Sequence, residues 1–307
     1  MDIFLQQIIN GLTLGSVYAV VALGYTMVYG IIQLINFAHG EVVMIGAMVA
    51  FTVINALAGG SLPPLAVVLI GALSAIPVCM VVGYSMERLA YRPLRHAPRL
   101  APLITAIGVS IILQHLALMV WSRNVLAFPQ IIKSQTYFIG GAGITTVQIA
   151  ILAICVTLMA SLALLVYRTP LGTAMRATAQ NAQVAGLMGI DINRVIAVTF
   201  IIGAGLGAVA GVLFGTYYGI AQYTMGSVLG LKAFSAAVLG GIGNIPGAMA
   251  GGIVLGLVEA LGAGYIGDLT GNVFGSNYQD VFAFIVLILV LVFRPQGLLG
   301  ERVGDRA

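Results

Sequence analysis

Eight stretches of this chain, near 4–28, 31–55, 64–87, 101–121, 147–167, 195–220, 246–265 and 278–293, are apolar and nearly free of charge. About 20 helical residues cross roughly 30 Å of hydrocarbon, and a spanning segment has to satisfy its own backbone, so such runs predict transmembrane α-helices. A ninth apolar segment, 228–240, is too short for a straight crossing and reads as re-entrant or oblique. Of the 307 residues 60% are apolar and 7% charged, against about 25% charged in soluble domains, and the mean hydropathy is +1.09. The expectation is an all-α polytopic membrane protein, with about 8 spans plus one short re-entrant or oblique helix, in a single transmembrane domain over 1–307. No basic stretch precedes the first run, so that run is expected to be retained rather than cleaved as a signal peptide.

Charge sets the orientation. Thirteen Lys and Arg against nine Asp and Glu leave +4, and the positive residues cluster. Arg88, Arg92, Arg95 and Arg99 lie in one turn, Arg168, Arg176 and Arg194 in a second, and Arg294, Arg302 and Arg306 in the tail, whereas 122–146 carries only Arg123 and Lys133. Positive residues stay on the cytoplasmic side, so the three clusters are placed inside and 122–146 outside. Parity then puts the N-terminus outside and has 228–240 run inward to a turn at Gly240 to Pro246.

The stretch 168–194 is the long polar interruption. Thr169-Pro170 is a helix start, with a capping oxygen followed by a residue whose missing N–H costs nothing in the first turn, and Gly189 offers a left-handed stop. Leu171, Ala174, Met175, Ala182, Ala185 and Met188 fall at helical spacing on a narrow apolar stripe. Such a stripe is too small for a domain core and wide enough for a partner's groove, which marks 168–194 as a docking element.

Glycine shapes the rest, because forty glycines in so apolar a chain indicate close helix packing. Gly203, Gly207, Gly211, Gly215 and Gly219 keep four-residue spacing and make one smooth helix face, read as a packing seam or as part of a pathway lining. Gly247/Gly251 and Gly252/Gly256 repeat the device. Cys79 and Cys155 sit inside apolar runs without metal or disulfide spacing and read as small packing residues.

Enzyme chemistry finds little support. There is no GxSxG elbow, the three histidines lack an HExxH context and the carboxylates are scattered over separate spans, so no catalytic or metal site is expected. The only lysines, Lys133 and Lys232, follow Ile132 and Leu231, so neither completes a GxxxxGK[ST] phosphate loop. If ATP drives this protein, another subunit binds it.

Polar residues at membrane depth then become informative. Asn36, His39 and Glu41 lie within six residues near the start of the second run, with Gly40 among them. They read either as part of a substrate pathway or as an interfacial helix start. Lys232 and Glu259 are isolated charges that either pair or snorkel. The turn Gly240-Gly241-Ile242-Gly243-Asn244-Ile245-Pro246-Gly247 has to break the helix, and broken helices often bound a substrate path, which adds Gly243 and Asn244 as candidates.

Four motifs carry a family resemblance: Gly11-Leu12-Thr13-Leu14-Gly15-Ser16-Val17-Tyr18-Ala19; Ile35-Asn36-Phe37-Ala38-His39-Gly40-Glu41 with Met44 and Gly46-Ala47; the turn 240–247; and Phe293-Arg294-Pro295-Gln296-Gly297-Leu298. In this order they resemble the LivH-type permeases of bacterial branched-chain amino acid ABC transporters, from about residue 8 to 300. The resemblance implies an inner-membrane, multi-pass permease that binds no cofactor itself. Its implied partners are a second, related permease in a heterodimer, two cytoplasmic ATPase subunits that bind ATP and Mg, and a periplasmic binding protein delivering leucine, isoleucine or valine. The alternatives are a permease for another small amino acid or amide, a self-sufficient channel or secondary transporter, and, least supported, an intramembrane enzyme. The resemblance also implies that 168–194 is a cytoplasmic coupling loop, usually carrying Glu-Ala-Ala with a glycine after three more residues. Gln183-Val184-Ala185 with Gly189 matches that spacing with Gln in place of Glu, which takes away a salt bridge to the ATPase and leaves Arg176, Gln183, Ala185 and Gly189 as the expected contact.

Overall fold

A computed structural model describes residues 2–95, 97–98, 100–131, 134–269 and 278–300. Arg99, Lys133, Arg302 and Arg306, used above for orientation, lie outside the described residues. In chain order the elements are α1 (Asp2–Ile32), α2 (His39–Leu57), α3 (Pro64–Ser85), a π-helical turn (Met86–Tyr91) and a 3₁₀ turn (Arg92–Leu94), α4 (Leu100–Trp121), β1 (Leu126–Ala127), β2 (Thr136–Ile139), β3 (Ala142–Thr145), α5 (Thr146–Arg168), α6 (Pro170–Gln180), α7 (Ala182–Leu187), α8 (Ile192–Tyr218), β4 (Ile220–Ala221), α9 (Met225–Gly240), α10 (Ile245–Leu269) and α11 (Gln279–Phe293). Each of the nine apolar segments is mainly helical, the second interrupted between Ile32 and His39. Among the described residues seven helices are long and apolar enough to cross a membrane, and Met225–Gly240 and Asp280–Phe293 are shorter apolar helices. The all-α polytopic class is therefore observed, in a chain that divides into two compact units.

One unit comprises 27–133 and 160–231. Within it α2 and α8 are buried along most of their length, whereas α3 buries only Val67, Gly71, Ala75, Cys79 and Gly83, and α4 only Pro102, Ala106 and Ala117. Leu65, Leu69, Leu73, Val81, Ile104 and Ile111 of α3 and α4 remain exposed, as suits helices with one face on protein and the other on lipid. Cys79 is free and buried, its Sγ 3.4 Å from the Val42 carbonyl, which is the small packing role expected of it.

The evenly spaced glycines of α8 serve different purposes. A Cβ on Gly211 would overlap the Val43 carbonyl oxygen of α2, and one on Gly46 would come 2.6 Å from the Ala208 Cα, so α2 and α8 touch backbone to backbone. At Gly207 a Cβ would come no nearer than ordinary contact, 3.4 Å from the Val43 side chain and 3.7 Å from the His39 ring and the Val42 side chain. Gly215 faces the Phe128 ring, and Gly219 ends α8 with φ 69, the left-handed cap for which glycine is suited.

Two links show which ends of this unit share a side. Leu126 and Ala127 of β1 pair with Ala221 and Ile220 of β4, so the chain after α4 and the end of α8 lie together. At the other end Arg95 Nη1 donates to Asn193 Oδ1 at 2.6 Å, and buried Glu87 accepts from Arg92 Nε at 3.1 Å and Nη2 at 2.9 Å and from Arg95. The arginine turn and the start of α8 thus share a side, as charge bias required.

The second unit comprises 1–26, 134–159 and 232–307. Here α1 packs on α10 through glycine from both sides: a Cβ on Gly11 would reach the Leu257 Cα at 2.8 Å, one on Gly15 the Gly252 carbonyl oxygen at 2.9 Å, and one on Gly252 the Ala19 Cα at 2.5 Å. Gly251, one residue earlier, faces Ala236 and Gly240 of α9 instead. The paired glycines of α10 are therefore two seams rather than one. Gln6 of α1 closes a two-way bond with the Gly143 backbone of the β2–β3 hairpin at 3.1 and 2.9 Å, which puts the start of α1 on the side of that hairpin.

Candidate functional site

The second apolar run does not begin where hydropathy places it. Helix α1 continues to Ile32 and stops at Gln33, whose φ of 52 is left-handed, and α2 begins only at His39. The intervening Leu34, Ile35 and Phe37 are apolar like the helices, so hydropathy alone does not mark where one helix ends and the next begins. Backbone groups freed by the break are bound locally, His39 N to Asn36 O at 3.0 Å and Glu41 N to Ala38 O at 3.2 Å.

The three candidate residues of this break, Asn36, His39 and Glu41, are all buried, at 3%, 2% and 1% exposure. They do not form one cluster. Asn36 Oδ1 accepts from the Tyr91 hydroxyl at 2.8 Å, which ties the break to the π-helical turn that follows α3. His39 lies against Gly207 of α8. Glu41 Oε1 accepts from Gln114 Nε2 at 2.8 Å and from Ser110 Oγ and Ser227 Oγ at 3.1 Å each, and Gln114 also donates to Ser227. These partners escaped sequence reasoning, yet Ser110 and Gln114 are polar residues four apart in a largely apolar run, which places them on one helix face. Tyr91→Phe should destabilise the protein by about 1–2 kcal/mol, because it strands a buried amide oxygen. An unchanged melting temperature of the purified protein would show that Asn36 needs no partner.

Gly243 and Asn244 have a structural task in the turn where they were expected to bound a path. Gly241 and Gly243 take φ of 106 and 95, and Asn244 caps α10 by accepting from Gly247 N at 3.0 Å. Its amide donates to Leu299 O at 2.8 Å, while Leu298 N and Leu299 N donate to the Leu239 and Gly240 carbonyls at 2.8 and 2.9 Å. The tail after α11 thereby satisfies carbonyls at the end of α9 that no intrahelical donor reaches. Two motifs some fifty residues apart in the chain are halves of one contact.

The loop 168–194 contains two helices rather than one. Thr169 caps α6 by accepting from Gly172 N at 3.1 Å, as expected, but Asn181 is extended and caps α7 through Val184 N at 3.0 Å. Gly189, at φ 87, completes a Schellman end in which Gly189 N bonds Gly186 O at 3.0 Å and Ile190 N bonds Ala185 O at 3.1 Å. The kink at Asn181 rotates the second half, so the stripe read on a single helix splits. Met175 and Ala185 are buried, while Val184, Leu187 and Met188 are 52%, 87% and 79% exposed and Gln183 and Gly189 are exposed beside them. Arg176 turns back to donate to the Val166 carbonyl at the end of α5, its guanidinium 5.8 Å from the Tyr167 ring. Of the four expected contact residues, Gln183 and Gly189 are presented and Ala185 and Arg176 are turned inward.

Lys232 and Glu259 do pair, at 2.7 Å, and Asp280 joins them at 2.7 Å. The Tyr18 hydroxyl donates to Glu259 Oε2 at 3.0 Å and accepts from Lys232 Nζ at 3.3 Å. The group links α1, α9, α10 and α11, and its geometry is that of an interhelical tie.

Comparison with known proteins bears on this arrangement. A family model described as "Branched-chain amino acid transport system / permease component" matches residues 7–291. The high-affinity branched-chain amino acid transport system permease protein BraD of Pseudomonas aeruginosa is 49% identical over 303 residues, covering 97% of this chain and 96% of that protein. LivH of Escherichia coli K12, named likewise, is 46% identical over 304 residues, covering 97% and 96%. A probable branched-chain amino acid transport permease protein LivH of Methanocaldococcus jannaschii is 29% identical over 315 residues, covering 97% and 94%. No solved structure matches. A polytopic helical chain with the glycine seams, the broken entry to α2 and the capped loop between α5 and α8, matched end to end in this way, belongs to the family of branched-chain amino acid transport system permease components.

Proposed function

We propose that this chain is the transmembrane permease subunit of an ATP-driven ABC importer, carrying leucine, isoleucine and valine from periplasm to cytoplasm across the inner membrane. Near-full-length identity to BraD and LivH carries this reading. Residues 1–307 act as one permease domain, paired with a second, related permease, two cytoplasmic ATPase subunits that hold ATP and Mg, and a periplasmic binding protein. Reconstitution of the whole set in liposomes tests it: ATP-dependent leucine uptake, competed by isoleucine and valine, is the expected result. Flux through this chain alone, without ATPases, would sink the reading.

Within that reading 168–194 is the cytoplasmic coupling loop. The ATPase contact is made by Gln183, Val184, Leu187, Met188 and Gly189, an apolar step presented by α7 and supported by the presence of Ala185 beneath it. Arg176 holds the loop to α5 instead of reaching the partner. The substrate path passes Asn36, His39 and Glu41. Leu187→Glu combined with Met188→Glu should leave folding within about 0.5 kcal/mol of wild type, as exposed sites do. Uptake should fall at least tenfold while the protein still reaches the membrane. Wild-type uptake by the double variant would move the docking surface elsewhere.

A further inference from the structure

Glu41 has its hydrogen-bond donors on one oxygen only. Gln114, Ser110 and Ser227 all donate to Oε1, and Gln114 also donates to Ser227, whereas Oε2 is buried and has no hydrogen-bond partner among the described residues. The protons of this cluster are thereby accounted for. The two of the Gln114 amide go to Oε1 and to the Ser227 oxygen, and the hydroxyl protons of Ser110 and Ser227 go to Oε1. None is left for Oε2.

Backbone closes the other side. A Cβ on Gly226 of α9 would come 2.6 Å from Oε2 and 2.6 Å from the Gly40 carbonyl oxygen, and one on Gly40 would overlap the Gly226 carbonyl oxygen. What the chain places beside Oε2 is therefore glycine backbone with its carbonyl oxygens, which accept and do not donate. The ion pairs found among the described residues go to Glu87, Glu259 and Asp280, not to Glu41. Other titratable side chains of the same helices are engaged elsewhere: His39 of α2 lies against Gly207 of α8, His115 Nδ1 of α4 is 2.9 Å from the Ile111 carbonyl oxygen, and Lys232 of α9 pairs with Glu259.

Depth makes that asymmetry costly for a charge. Ser110 and Gln114 are on α4, which starts at Leu100. At 1.5 Å per residue they lie about 15–21 Å from the start of the helix, near the middle of a hydrocarbon core of roughly 30 Å. An ionised carboxylate there calls for donors on both oxygens or for a positive partner, and a group that has neither takes up a proton instead.

We propose that Glu41 is a carboxylic acid in the folded protein, with Oε1 the carbonyl oxygen that accepts the three donors and Oε2 a hydroxyl turned to the backbone of α2 and α9. A proton needs no cavity. It converts Oε2 from a stranded acceptor into a donor, which is what a contact lined by carbonyl oxygens asks for. Glu41 is then a proton-binding site that joins α2, α4 and α9 through a neutral group. The buried Glu87 and Glu259 are held differently, the first by Arg92 and Arg95 and the second by Lys232.

Infrared spectroscopy of the full-length protein in lipid tests this, because the carbonyl of a protonated carboxyl absorbs apart from a carboxylate. With heavy carbon placed in the glutamate side-chain carboxyls, wild type at neutral pH should show a label-shifted band of a protonated acid, and Glu41→Gln should lose it. If Glu41→Gln fails to assemble, Glu41→Asp, which keeps a carboxyl group without the label, serves the same assignment and should lose the shifted band too. A wild-type spectrum with labelled carboxylate bands alone overturns the proposal, and so does a shifted acid band that persists in the variant. Neither substrate nor ATPase enters the measurement, so its outcome is separate from that of the importer reading.

Discussion

Lys232→Met should destabilise the folded protein by about 3–5 kcal/mol, the usual cost of stranding a buried charge. Lys232 and Glu259 are 7% and 1% exposed, and the ammonium lies 2.7 Å from Glu259 Oε1. With the lysine gone, the donor left to Glu259 among the described residues is the Tyr18 hydroxyl, a neutral group at 3.0 Å. Asp280 adds little, because its side chain is 41% exposed and solvent screens it. The loss comes mainly from an unpaired carboxylate in hydrocarbon, so removing that carboxylate as well should restore most of the stability: Lys232→Met with Glu259→Gln should melt much closer to wild type than the single variant. Thermal unfolding of the purified protein measures both. A single variant as stable as wild type would mean that the tie between α9, α10 and α11 holds nothing.

Gly211→Ala should lower stability by about 1–3 kcal/mol or more, whereas Gly207→Ala should be neutral or slightly stabilising. The two glycines are one turn apart on the same helix face. At Gly211 the added methyl would overlap the Val43 carbonyl oxygen and lie 3.0 Å from Ala47 N, both backbone atoms of α2 that no rotamer change can move. At Gly207 it would meet Val43 and Val42 side chains at 3.4 and 3.7 Å, ordinary contact distances. Yield of folded protein and melting temperature distinguish them. Equal effects at both sites would restore the strip as a uniform seam.

This contrast marks how far sequence reading reaches. Five glycines in strict spacing pointed to a close-packed face, and at Gly211 the backbone of α2 does come that near. Their spacing was blind to what stands opposite: α2 backbone at Gly211, a phenylalanine ring at Gly215, a helix cap at Gly219. The loop 168–194 behaves similarly. Thr169, Pro170 and Gly189 were legible as start and stop, since capping is local chemistry, but Asn181 reads equally well as an interior polar residue until it is seen extended and bonded to Val184 N. That one break decides whether Ala185 or Leu187 faces outward.

Membrane insertion, helical class and family were determined by sequence alone, because hydrocarbon excludes other backbone solutions and four ordered motifs are specific. Tertiary structure decided what pairs with what. Asn244 meets Leu299, Tyr91 meets Asn36, Asp280 joins Lys232, and Gln114 and Ser227 converge on one oxygen of Glu41. Each joins segments far apart in the chain, and in a chain where any buried polar residue must find a partner, hydropathy records the need without naming the partner. The break between α1 and α2 shows the same limit at the backbone, since Leu34, Ile35 and Phe37 are apolar whether or not the helix continues through them.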